Sequence, residues 1–148
     1  MTDYSQKAVN YFKQGYNCAQ SVFLAFANDF GFDDKTALKL SSSFGGGMGR
    51  LREVCGAVSS MFAIAGLKQG YTTPNDDEIK AKHYELIQNL AKQFKDEFDS
   101  IICRELLGLP EGEESPIPSK RTEQYYKERP CEDFIRFAAN IIQNEILK

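Results

Sequence analysis

The residues of this chain best suited to chemistry are its four cysteines, Cys18, Cys55, Cys103 and Cys131, separated by 37, 48 and 28 positions. A thiolate can ligate a soft metal or attack a disulfide or peroxide, whereas the protonated thiol packs as a small apolar group. The spacings hold no Cys-x-x-Cys and no paired knuckle of the kind that marks a zinc site. No Cys-x-x-Cys-His occurs either, which excludes covalent haem c. What the cysteines share is position. Each falls beside a break between expected elements, and Cys18 and Cys131 fall in first turns, where free amides and the helix dipole favour the thiolate.

A second feature is the run Phe44-Gly45-Gly46-Gly47-Met48-Gly49-Arg50. Gly45, Gly46, Gly47 and Gly49 give it unusual backbone freedom and let its amides approach a thiolate or cluster sulfide closely, so these four glycines are candidate cofactor-binding positions. No strand precedes the run and no Lys-Ser/Thr follows it, so it is a poor P-loop. Arg50 and Arg52 precede Cys55 and are either supports for a thiolate or ordinary solvated charges. His83, the only histidine, lies on an apolar seam and reads as a core-edge residue, and Met48 as a loop residue packing inward. Tyr125 and Tyr126 with Lys120, Arg121 and Lys127 read as a surface patch with no assigned function. With one histidine and no Ser-His-Asp pattern, classical hydrolysis is excluded.

These residues need a frame, and the pattern predicts an all-α one. Ala and Leu are plentiful, Val and Thr sparse, and apolar residues recur at three and four. Asp3 or Ser5 starts a first helix that Gly15 ends. Asn17, with Gln20 three residues on, caps a second that Gly31 stops. Asp33 or Asp34 opens a third. After the glycine run, helix is expected from Leu51 or Glu53 to Leu67. A long helix from Asn75 or Asp76 is expected to reach Leu107, with Cys103 near its C-terminal end. Gly108–Ser119, with three prolines, reads as a loop; Lys120–Glu128 as a short helix; and Pro130 as the first residue of a final one. The expectation is one domain over 1–148, an antiparallel bundle of about five to six helices.

Composition narrows the function classes. Eighteen Lys and Arg against 21 Asp and Glu give a net charge of -3, without the basic excess that nucleic-acid binding requires. The longest apolar stretch, Val54–Leu67, is shorter than the roughly 18 residues of a membrane span. Met1–Asn10 lacks the apolar centre of a secretory signal. A cytoplasmic protein without a membrane span is expected, and self-association is left open.

The residue contexts resemble a known family. Gly15-Tyr16-Asn17-Cys18-Ala19-Gln20, the glycine run, Cys55-Gly56-Ala57, Cys103 before Leu106-Leu107-Gly108, and Cys131 are similar to the redox-active proteins named for a C, GCAxxG, C, C pattern. One position departs: Ser60 stands where the final glycine is usual, so a looser contact is expected there. The resemblance implies a redox role centred on the four cysteines. A remoter similarity, to the non-haem part of split-Soret cytochromes, implies an iron-sulfur cluster held by cysteines. The leading expectation is that Cys18, Cys55, Cys103 and Cys131 ligate an iron-sulfur cluster, or zinc, for electron transfer or redox sensing. The alternatives are a metal-free thiol-disulfide oxidoreductase with Cys18 and Cys55 as redox thiols, and a structural zinc or partner-binding helical domain. The expected partners are a redox protein or a small thiol or disulfide.

Overall fold

Helix starts follow the capping chemistry written in the sequence. In the computed structural model, which describes residues 2–148, α1 (Tyr4–Lys13) opens where the Asp3 carboxylate accepts the Gln6 amide. Helix α2 (Cys18–Ala27) opens on a full capping box. Asn17 Oδ1 accepts the Gln20 amide at 2.8 Å, and Gln20 Oε1 accepts the Asn17 amide at 3.2 Å. Asp33 caps α3 (Asp34–Ser41) in the same manner. Gly15 (φ 108°) and Gly31 (φ 88°) turn the chain after α1 and α2 in the left-handed conformation that glycine adopts without penalty.

Two boundaries differ from the periodic pattern, and both place cysteines. Helix α4 (Gly56–Gln69) begins at Gly56, not at Leu51 or Glu53. Helix α5 (Asp77–Phe98) stops at Asp99 (φ 71°), and a separate α6 (Cys103–Leu107) follows. Cys103 therefore opens a helix and does not sit near the end of a long one. The apolar seam runs on through Ile101 and Ile102, which conceals the break. Ser100 makes it: its hydroxyl accepts the Ile102 amide and donates to Glu105. The segments freed from helix meet each other. The Cys55 amide donates to Ile101 O at 2.8 Å and the Cys103 amide to Glu53 O at 2.6 Å, around an antiparallel bridge between Val54 and Ile102.

Helices α7 (Glu123–Glu128) and α8 (Cys131–Ile141) complete eight among the described residues, and a π-helical turn, Ile142–Ile146, follows. Pro130 is the cap of α8, one position earlier than expected, so Cys131 is its first residue. The all-α class holds. Six helices have eight or more residues, while α6 and α7, with five and six, are the short pieces that periodicity merges or blurs. The hub is α2, whose residues from Ala19 to Ala27 are buried on nearly every side, as an all-round apolar helix must be. It packs against α1, α3, α4 and α8. Below it Phe94 and Phe98 of α5 meet Phe134 and Phe137 of α8 with ring centroids 4.9–5.9 Å apart. Among the described residues no helix is long and apolar enough to cross a membrane.

Candidate redox site

All four cysteines stand at helix starts. Cys18, Cys103 and Cys131 are the first residues of α2, α6 and α8, and Cys55 is the cap of α4. They line one cavity of about 290 Å³. Dispersed spacing in sequence thus becomes convergence in space, because the starts of α2, α4, α6 and α8 meet at this one cavity.

Cys18 is the most acidic of the four thiols. The neighbouring Cys55 thiol favours its anion; burial opposes ionisation; and the backbone amides of Gly46, Gly56 and Ala19 favour the anion as well. Together they bring its pKa down from 9.0 to about 6, so Cys18 is a thiolate at neutral pH. Cys55, beside that anion and buried, is pushed well above the ordinary thiol range. Burial raises Cys103 and takes Cys131 to about 12, so both remain thiols.

The glycines make this proximity steric fact. A Cβ on Gly56 would lie 2.6 Å from Cys18 Sγ and 2.8 Å from Phe44 O, so no side chain fits beneath the thiolate. The Gly45–Met48 turn is irregular: Gly46 and Gly47 have φ of 67° and 66°. A Cβ on Gly45 would overlap the Asn17 side chain that caps α2, and one on Gly47 would lie 2.6 Å from Cys103 Cβ. Of the four glycines singled out in the sequence, Gly45, Gly46 and Gly49 line the cavity, and Gly47 provides a close crossing beside it. The Arg52 and Glu53 amides bond Gly46 O and Gly47 O, locking the turn onto the segment that leads to Cys55.

Arg52 goes to a different cysteine from the one it precedes. Only 5% exposed, with φ 62°, it directs Nη1 to Cys103 Sγ at 3.5 Å and clasps Glu114 through Nε (2.7 Å) and Nη2 (3.1 Å). Burial works against its charge, but Glu114 and Cys103 outweigh burial and raise its pKa. Arg50 joins the same carboxylate at 3.1 Å. Glu114 thereby ties the proline-rich segment between α6 and α7 across the cavity mouth, where Pro116 and Pro118 enter the lining.

The aromatic and basic cluster at 120–127 is not the idle surface patch that its sequence suggests. Arg121 reaches Phe12 O and Tyr16 O at 3.0 Å each and stacks over Phe12 at 4.5 Å and Tyr125 at 5.0 Å. Arg121, Tyr125 and Arg129 all line the cavity. The partners of Arg121 lie 105 and 109 positions away, which local patterns do not encode.

Ser60 also departs from expectation. It does not loosen the packing: 3% exposed, it donates to Ala19 O at 2.7 Å and pins α4 to α2 next to Cys18. His83 lies in a separate hollow with Gln69, Ile79, Lys82 and Leu86, away from the sulfurs. Met48, half-buried, is outside the lining as well.

As donors for a resident group the four thiols suit soft metals, and the Gly46 amide supplies the type of hydrogen bond that tunes cluster sulfurs. Yet among the described residues no three Cys, His, Asp or Glu side chains gather closely enough to hold a single ion. A mononuclear zinc site would require the sulfurs to move.

Comparison with known proteins gives one family. No curated protein and no solved structure matches the chain. Residues 16–145 match the family described as "Putative redox-active protein (C_GCAxxG_C_C)". That span takes in all four cysteines and the glycine turn, and the chain belongs to this family of redox-active proteins.

Proposed function

We propose that this protein is a thiol-disulfide oxidoreductase whose working pair is Cys18 and Cys55. The observation that carries the reading is that Cys18 and Cys55, the first residue of α2 and the cap of α4, line one open cavity, where each moves the other's ionisation in the opposite direction. Cys18, as thiolate, attacks one sulfur of a substrate disulfide; a Cys18–substrate bond forms, the substrate S–S bond breaks, and the leaving half departs as a thiolate. The Cys55 sulfur then attacks Cys18 Sγ. A Cys18–Cys55 disulfide forms, and the second half leaves with the proton that Cys55 gives up. The substrate gains two electrons and the protein loses two, to be returned by a cellular dithiol reductant. A reducing cytoplasm, which keeps all four thiols free between turnovers, is the compartment proposed.

A second reading rests on a different observation: Cys103 and Cys131 face the same cavity as the pair. In it Cys18, Cys55, Cys103 and Cys131 would hold an iron-sulfur cluster, which would supply one-electron chemistry.

The deciding experiment joins iron, zinc and acid-labile sulfide analysis of protein purified without oxygen to the pH profile of Cys18 alkylation. A metal-free protein whose alkylation has a midpoint near pH 6, moved to higher pH by Cys55→Ala, is the expected result. Stoichiometric iron and sulfide with visible absorbance, lost when any of the four cysteines becomes serine, would establish the cluster instead. The same shift predicts a stability trend. Because Cys18 ionises more readily folded than unfolded, its contribution is complete above pH 9 and is lost as pH falls through about 6. The raised Cys55 works oppositely, favouring the fold until pH exceeds 9.

A further inference from the structure

The charge around the cavity goes beyond the needs of the thiol pair. Four guanidinium groups line it, from Arg50, Arg52, Arg121 and Arg129. Glu114 answers the first two. Arg121 is held by carbonyl oxygens and aromatic faces, and Arg129 lies over Tyr125 at 5.4 Å; neither pairs with a carboxylate among the described residues. Four cations against one carboxylate and one thiolate leave two positive charges facing a partly enclosed space. Charges so placed favour a ligand that carries negative charge. The volume, about 290 Å³, is that of a small-molecule site and is too small for a protein loop with its flanks. Leu106, Leu107, Pro116 and Pro118 add apolar wall to the same cavity.

Resting on the disulfide-exchange reading, we propose that the cavity selects a small disulfide carrying carboxylate groups, with Arg129 and Arg121 holding the carboxylates while one sulfur lies against Cys18. The exchange is the one written above: the anionic disulfide takes two electrons from the Cys18–Cys55 pair and leaves as two thiols. Arg129 is the more available of the two, since Arg121 also supports the chain at Phe12 and Tyr16.

The test compares three small disulfides: dithiodiglycolate, doubly negative; hydroxyethyl disulfide, neutral; and cystamine, doubly positive. The oxidation of the pair by each is normalised to the reaction of the same compound with mercaptoethanol. The expected order is negative, neutral, positive, with steps on the order of tenfold that shrink as salt is raised. Arg129→Gln is expected to reduce the negative-to-neutral ratio about tenfold, and Arg129→Lys to keep most of it. If Arg129→Gln does not fold, the order and salt dependence of the unmodified protein decide. Three equal rates would overturn the charge selection while leaving the exchange reading intact. If none of the three oxidises the pair, the exchange reading falls and takes this inference with it.

Discussion

Two hollows of about 290 Å³ each, one at the cysteines and one beside His83, are built in opposite ways. Ile79, Lys82, His83 and Leu86 are a single stripe of α5, with Gln69 from the end of α4 as neighbour. Side chains along one stripe point away from a common axis and meet few partners. His83 shows the result, since its buried Nδ1 finds no hydrogen bond. The cysteine hollow instead collects the starts of four helices, a glycine turn and a crossing segment. Helix starts carry amides without intrahelical partners, so their convergence concentrates donors, and two of them, from Ala19 and Gly56, join the Gly46 amide of the glycine turn in favouring the Cys18 anion. Volume is equal in the two places; what differs is how many chain segments arrive end-on.

Substitutions can break or sharpen that contrast. The largest effect is expected from Gly47→Ala. The new methyl would lie 2.8 Å from Arg52 Cα and 2.6 Å from Cys103 Cβ, at a φ of 66° that alanine resists. A loss of about 3 kcal/mol in denaturant unfolding is expected, with Cys18 alkylation returning toward ordinary thiol behaviour as the Gly46 amide moves away. Ser60→Ala comes next. It removes one buried hydrogen bond to Ala19 O and is expected to cost about 1 kcal/mol without moving the alkylation midpoint. A shifted midpoint would show that Ser60 tunes the sulfur electrostatically and does not simply clamp two helices. The smallest effect belongs to the other hollow. His83→Ala should change stability by about 0.5 kcal/mol or less and leave disulfide exchange untouched. Slower exchange in that variant would erase the distinction between the two sites.

Local chemistry is what the sequence displays, and it carried most of the fold. Asp3, Asn17 with Gln20, and Asp33 mark helix starts because a cap needs only a side-chain oxygen and an amide a few positions on. The cysteines, the glycine turn and the family pattern are legible for the same reason. What escaped involves partners far apart in sequence. Ile101 and Ile102 prolong the α5 seam, so only Asp99-Ser100 signals that Cys103 opens a new helix. Arg52 is three residues from Cys55 yet bonds Cys103, because the strand-like segment around Val54 turns consecutive residues to different neighbours. Arg121 and Arg129 look like surface charge until α7 and α8 bring them over the opening.

The positions of the cysteines along the chain also set the order in which the site can be assembled. Cys18 and Cys55 belong to α2 and α4, which pack on each other, and both precede Cys103 and Cys131 in the chain. The reactive pair can thus assemble from the first half of the chain, with only 37 positions to close. The bridge from Val54 to Ile102 is added later, and α8 with Cys131 last. Synthesis order thus favours the pair: Cys18 and Cys55 can meet before the last two thiols are added, which leaves fewer wrong sulfur partnerships open.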